Sequence, residues 1–276
     1  MQAITPITDP EDPRIEPYRQ MRERDLVGRQ GGFIAEGAVV LRVLLTRSPH
    51  ETHSVLIADR LLAAQGDLLA LVPAHVPIYA APQAMFDRIA GFPIHRGILA
   101  EGRRIDPGDA RSLLGSAGGH VLVLFGIANH DNIGGIFRNA AAFGVGAVLL
   151  DRQCCDPLYR KAIRVSVGGT LVVPFQRIGP DEDALGLIEQ AGFHALALSP
   201  RGTTPLADLA APPRAAILLG SEGPGLPDAI LARAQTITIP MAGGFDSLNV
   251  ATTSGIVLHH LRHFAQSSPV TLGVGS

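Results

Sequence analysis

The stretch VLVLFGIANHDNIGGIFRNAAAFGVGAVLLD, residues 121–151, carries the fold in miniature. Its opening VLVLFGI (121–127) is a short apolar run, the pattern of a strand buried on both faces. A loop containing Asn and Gly follows, then GGIFRNAAAFG (134–144) at helical spacing, then a second buried-strand run, GAVLLD (146–151). Working outward, the alternation repeats. A helical segment around 182–191 leads to HALALS (194–199), and RAAILLG (214–220) is followed by a loop and PDAILARA (227–234). TITIP (236–240) precedes a last loop and a long helix, NVATTSGIVLHHLRHFA (249–265). Apolar strands alternating with helices predict the α/β class, with a parallel sheet covered on both faces.

Upstream, apolar runs at 54–58, 77–79 and 96–100 read as strands, with helical patterns at 60–72 and 83–89. The run FIAEGAVVLRVLL (33–45) mixes both characters. The composition shifts at GRRIDPGDARSLLGSAGG, which is polar and glycine-rich and reads as a linker. The expected organisation is a small N-terminal α/β domain over 1–102, a linker over 103–118 and a larger domain over 119–276.

Composition removes several function classes. The 276 residues are 46% hydrophobic and 17% charged, apolar enough for a core and too weakly charged for disorder. No charge-free apolar run approaches about 18 residues, so no membrane span is expected. The N-terminus lacks the basic and apolar regions of a secretory signal, so a cytoplasmic protein is expected. Among 23 basic residues Lys161 is the single lysine, and no phosphate-loop glycines precede it. Arginine is therefore the practical phosphate-binding side chain. The net charge of −2 points to a local rather than a diffuse nucleic-acid surface. Cys154 and Cys155 are adjacent, which suits neither a disulfide nor zinc, and they read as reduced structural thiols.

Ligands of parallel sheets bind at loops leaving the carboxyl ends of strands. Three loops occupy such places: NHDN (129–132), GSEGPGLP (220–227) and MAGGFDSLN (241–249). Singly, each is bland. GSEGPG lacks the dinucleotide pattern G-x-G-x-x-G, since position 228 is Asp, and reads as a turn. DSLN before a helix supplies ordinary N-caps. Arg138, between Asn132 and Asn139 among small and apolar neighbours, suggests a charge placed in a pocket. His259 and His263 have zinc spacing, but position 260 is His where a metalloprotease motif has Glu, so no metal is expected. No G-x-S-x-G nucleophile is present.

In this order and spacing, NHDNIGGIFRNAAAFGVGAVLLD, ILLGSEGPGLPDAIL and ITIPMAGGFDSLNVATTSGIVL resemble the three motifs of the SpoU (TrmH-like) RNA ribose 2′-O-methyltransferases, in the SPOUT superfamily. The resemblance spans 119–266. GFIAEGAVVLRVLL and FPIHRGILAEG resemble, more weakly, that family's N-terminal RNA-binding domain. The resemblance implies a deep trefoil knot, S-adenosylmethionine bound bent within it, and a homodimer whose active site draws on both subunits. It implies cofactor contacts at the backbones of Gly220, Ile239 and Leu248, with Met241 and Asn249 nearby. It implies catalytic or supporting roles for Asn132, Arg138, Glu222, Ser247 and Asn249. NHDN departs from the Pro-Gly turn common at that place, and Thr252 stands near where Ser is frequent.

A guanidinium is effectively always protonated, which makes Arg138 a better electrostatic stabiliser of a developing alkoxide than a literal base. RNA is expected on the arginine cluster Arg14, Arg19, Arg22, Arg24 and Arg29, with Arg103 and Arg104 second. Pairing of that cluster with nearby carboxylates is the competing reading. The expected substrate is rRNA or tRNA, with rRNA slightly favoured. An antibiotic-resistance rRNA methyltransferase is one alternative, and a non-catalytic cofactor- or RNA-binding protein is another.

Overall fold

A computed structural model of the chain describes residues 3–19, 31–90, 96–243 and 247–267. The chain forms two compact units. The first contains residues 1–107 together with 129–138 and 155–172. Its elements include β1 (Ile4–Pro6), β2 (Gly32–Glu36), α1 (Ala38–Arg47), β3 (Glu51–Ala58), β4 (Ile78–Ala81), α2 (Gln83–Ala90) and β5 (Ile98–Arg103). They build a five-stranded sheet in the order β1-β4-β3-β5-β2. β4 is parallel to both β1 and β3, whereas β5 is antiparallel to β3 and β2.

The ambiguous run 33–45 is thus a strand and a helix, divided at Gly37. Ile34, Leu56, Tyr79, Phe86 and Leu99 share one buried cluster with Ile7, Ile15 and Tyr18. The Tyr18 hydroxyl is bonded to Ser54 Oγ at 2.6 Å, which satisfies the polar tip of a fully buried ring. The helix expected over 60–72 does not form as one element. Single turns occur at Asp59–Leu61 and Gly66–Leu69, because Gly66 weakens the helix interior and Pro73 stops it. β1 lacks the length or periodicity that would have marked it in the sequence.

At the β2 edge the helix Arg160–Val165 packs against the strand and resolves a buried charge. Glu36 is buried, and its Oε2 lies 2.6 Å from Arg160 Nη1 and 3.6 Å from Arg164 Nη1. A carboxylate taken out of water at this depth requires such partners.

The second unit contains residues 108–128, 139–154 and 173–276. Its elements include α3 (Ala110–Ser116), β6 (Val121–Phe125), the C-terminal part of α4 (His130–Phe143), β7 (Ala147–Leu150), β8 (Phe175–Arg177) and α5 (Ala184–Gln190). β9 (His194–Leu198), β10 (Thr204–Pro205), β11 (Ala215–Gly220), β12 (Gln235–Thr238) and α6 (Val250–Ser267) complete it. The seven strands run β10-β12-β9-β11-β6-β7-β8, and every neighbouring pair is parallel. β11 and β6, aligned from Ala216↔Val121 to Gly220↔Phe125, are buried almost throughout, as their unbroken apolar runs predict. β8 and β10 are too short to have shown a pattern in the sequence.

The expected linker over 103–118 contains ordered structure. Arg103 closes β5, and α3 is capped by Asp109, whose Oδ1 accepts from Ser112 N at 2.7 Å. Leu113 and Leu114 are buried in the cluster that includes Val121, Leu149, Leu185 and Leu218. The Leu-Leu pair is the apolar face of a helix set inside a polar stretch.

Candidate functional site

Loops after β9, β11 and β12 enclose a cavity of about 440 Å³ in the second unit. Leu198 to Arg201 line it from the first loop, Gly220 to Leu226 from the second, and Ile239, Met241, Ser247 and Leu248 from the third. Val250 and Thr253, in the first turn of α6, close another part of the wall. Gly220, Ile239, Met241 and Leu248, singled out in the sequence as cofactor contacts, therefore line one cavity, together with Glu222 and Ser247.

Gly220 shows why the second loop can take this shape. A Cβ at that position would stand 2.2 Å from the Gly225 carbonyl carbon and 2.4 Å from Leu226 N. Only a residue without Cβ lets β11 run straight into the turn. Met241 and Ile239 are partly exposed and Leu248 is 40% exposed, so apolar side chains stand open around polar backbone, the make-up of small-ligand sites.

Asn249 does two things at once. Its Oδ1 accepts from Ala251 N at 2.9 Å and Thr252 N at 3.3 Å, which caps α6. Its Nδ2 donates to Glu222 Oε1 at 3.0 Å, tying the loop after β12 to the loop after β11. Further along α6, Ala251 O and Ser254 Oγ lie 2.7 and 3.0 Å from Asn139 Nδ2 of α4.

Asn132 and Arg138 stand on α4. Ile133, Gly134, Ile136, Phe137 and Ala140 form its buried face, and Asn132 is buried beside them. Arg138 faces away and is exposed, and its guanidinium makes no hydrogen bond or ion pair among the described residues. Among the described residues Arg138 stands on an exposed face of the helix rather than in the pocket expected from its small neighbours. Those neighbours serve the core side of the helix, and the 3.6-residue period turns the guanidinium outward.

Residues 119–259 match the model of the SpoU rRNA Methylase family. An uncharacterised tRNA/rRNA methyltransferase of Mycobacterium bovis is 39% identical over 266 residues, covering 93% of this chain and 91% of the relative. The chain belongs to the SpoU methylase family.

Among solved structures, an rRNA methyltransferase from Sinorhizobium meliloti with AdoMet bound superposes with a TM-score of 0.80 at 20% identity. The match covers 94% of this chain and 98% of that one. An RNA 2′-O ribose methyltransferase superposes with a TM-score of 0.75 at 24% identity, covering 96% of this chain and 100% of that one. The α/β architecture with its seven-stranded parallel sheet is thus the SpoU methyltransferase fold.

Sequence reasoning missed one wall of this SpoU methylase's cavity, the Leu198–Arg201 loop. It too leaves the carboxyl end of a strand of the parallel sheet, so the rule that found the other loops applies to it. With Glu222 and Asp228 it brings charge of both signs to the lining, Arg201 being the cation.

The arginine cluster divides. Arg14 Nε is 2.9 Å from Asp12 Oδ1, and Arg19 pairs with Glu11. Arg22, Arg24 and Arg29 lie outside the described residues. Arg103 and Arg104 follow one another where β5 ends. Cys154 is buried, with its Sγ 3.3 Å from both Ile127 N and Leu124 O, and burial pushes its thiol up to about 12. It is structural. Among the described residues no group of three His, Cys, Asp or Glu side chains is placed to hold a metal, and no helix is long and apolar enough to cross a membrane.

Proposed function

We propose that this SpoU methylase transfers a methyl group from S-adenosylmethionine to a ribose 2′-hydroxyl of rRNA or tRNA, with rRNA favoured. The observation that carries the reading is the single cavity lined by Gly220, Ile239, Met241 and Leu248. Its volume suits a nucleoside-sized ligand, and the space a Gly220 side chain would occupy is given to backbone instead. Gly220, Ile239 and Leu248 would hold the cofactor through their backbones, with Met241 against it. When bound, the cofactor supplies a methyl group already activated by a sulfonium.

The chain's task is then orientation and charge. Asn249 holds Glu222 and the start of α6 together, so the two loops keep one geometry. Ser247 sits on the same wall. Arg138, exposed and uncommitted, stabilises negative charge developing on the ribose oxygen and grips the neighbouring phosphate in a bidentate contact. A guanidinium does not accept the proton, which passes to water, phosphate or a carboxylate. Asn132, buried on the same helix, supports its placement.

Further parts of the reading rest on the family resemblance and on the sequence. The loops after β11 and β12 belong to a trefoil knot, and two copies pair so that Arg138 of one chain serves a composite site. Exposed Leu248 and Ile256 are apolar surface that pairing would cover. Residues 1–102 act as the RNA-binding domain, and the protein works in the cytoplasm. Incubation with methyl-labelled cofactor and deproteinised rRNA or tRNA, followed by nucleoside mass spectrometry, tests the assignment. A labelled 2′-O-methylnucleoside is expected. Label on a base, or none in either RNA, overturns it.

A further inference from the structure

The first unit carries a second arginine surface, far from 14–29 in sequence. Arg96 is exposed, and its side chain lies flat on Gly37. A Cβ at Gly37 would stand 3.0 Å from Arg96 Cδ and 3.3 Å from its Nη1. Gly37 has φ +99°, so both its conformation and its bareness favour glycine there. On the other side of the same strand end, Gly97 O accepts from Ala58 N at 2.8 Å, and Arg60 Nη2 is 3.4 Å from where a Gly97 Cβ would be. Val39 is 62% exposed, and Arg42, its neighbour one turn on, is exposed too.

Charge separates this surface from the expected one. Arg14 and Arg19 are held by Asp12 and Glu11, whereas neither Arg42 nor Arg96 has an ion-pair partner among the described residues. Glu36 is buried against Arg160 and Arg164, and Asp59 and Asp87 lie toward Arg60 and Gln83. Arg47 and Arg88 of the same unit are exposed without an ion pair among the described residues too, but Arg96 is the one laid over the bare backbone of Gly37.

We propose that the phosphate backbone of the substrate RNA crosses this end of the five-stranded sheet, held by Arg96 and Arg42 across Gly37 and Val39, with Arg60 at its margin. The inference rests on the RNA methyltransferase reading and adds where the RNA is gripped. Such contacts position RNA without reading its sequence.

The test is binding of deproteinised total RNA across a salt series by wild type, Arg42→Ala, Arg96→Ala and the double variant. Arg233→Ala, which removes an equal charge in the second unit, is the control. Each of the first two substitutions should weaken binding about tenfold and lower the slope of log affinity against log salt by about 0.7 to 0.9, and the double variant by twice that. S-adenosylmethionine affinity, measured in parallel, should stay unchanged in all. If wild type binds RNA and the double variant matches it in affinity and slope, the surface is wrong and the methyltransferase reading stands. If wild type binds no RNA, both fall.

Discussion

Gly220→Ala probes the cavity where its geometry is tightest. The added methyl would meet the Gly225 carbonyl carbon at 2.2 Å, against the 3.4 Å at which ordinary contact begins. The turn must therefore retreat by about 1.2 Å, and neither partner is a flexible side chain that can swing aside. A displacement of about 1 Å in groups that position a reaction costs about 100-fold in turnover. The overpacking itself costs about 1–3 kcal/mol of stability. The expected result is a folded protein with about 100-fold lower methyl transfer and cofactor affinity at least about tenfold weaker by calorimetric titration. Gly115→Ala in α3 is the matched control. Nothing lies within 4 Å of its Cβ position, so it should bind cofactor normally and gain about 0.4–1 kcal/mol. Wild-type cofactor affinity in folded Gly220→Ala would refute the argument that this turn shapes the binding wall.

Arg138→Ala should leave cofactor affinity intact and lower turnover by at least about 100-fold, or about 2.7 kcal/mol, and Arg138→Lys should fare poorly because a point charge does not replace the fork. Near-normal turnover in either removes Arg138 from its proposed role. Asn249→Ala should cost about 1 kcal/mol in urea unfolding through the lost α6 cap, and weaken cofactor binding as the loop carrying Glu222 is released. Unchanged cofactor affinity would reduce Asn249 to a cap alone. Because burial raises the Cys154 thiol to about 12, its reactive thiolate is nearly absent at pH 8, so native protein should take up at most one iodoacetamide adduct, on Cys155. Rapid double labelling of folded protein would contradict the buried position of Cys154.

Period and run length made the parallel sheet legible. Buried strands such as 121–125 and 215–220 need unbroken apolar residues on both faces, and α4 and α6 need apolar positions every three or four. Strands of two or three residues, such as β1, β8 and β10, leave no such trace, because their pairing partners rather than their own side chains specify them. The same limit hid α3, whose buried Leu113 and Leu114 sit in an otherwise polar segment.

The candidate site was legible for a different reason. Singly the loops after these strands read as turns and helix caps, and Gly220, Glu222, Ser247, Leu248 and Asn249 stand out because the order and spacing of the loops resemble the SpoU motifs. Local sequence also establishes that Arg is the available phosphate-binding cation, since Lys161 is the single lysine. What it leaves open is which arginines are spent. Asp12 and Glu11 engage Arg14 and Arg19, Glu36 engages Arg160, and Arg96 lies uncommitted over Gly37, 59 positions away in the chain. Charge pairing and burial depend on which segments the fold brings within a few ångströms. That is a property of tertiary structure, and it moves the proposed RNA contact from a conspicuous cluster to an inconspicuous pair.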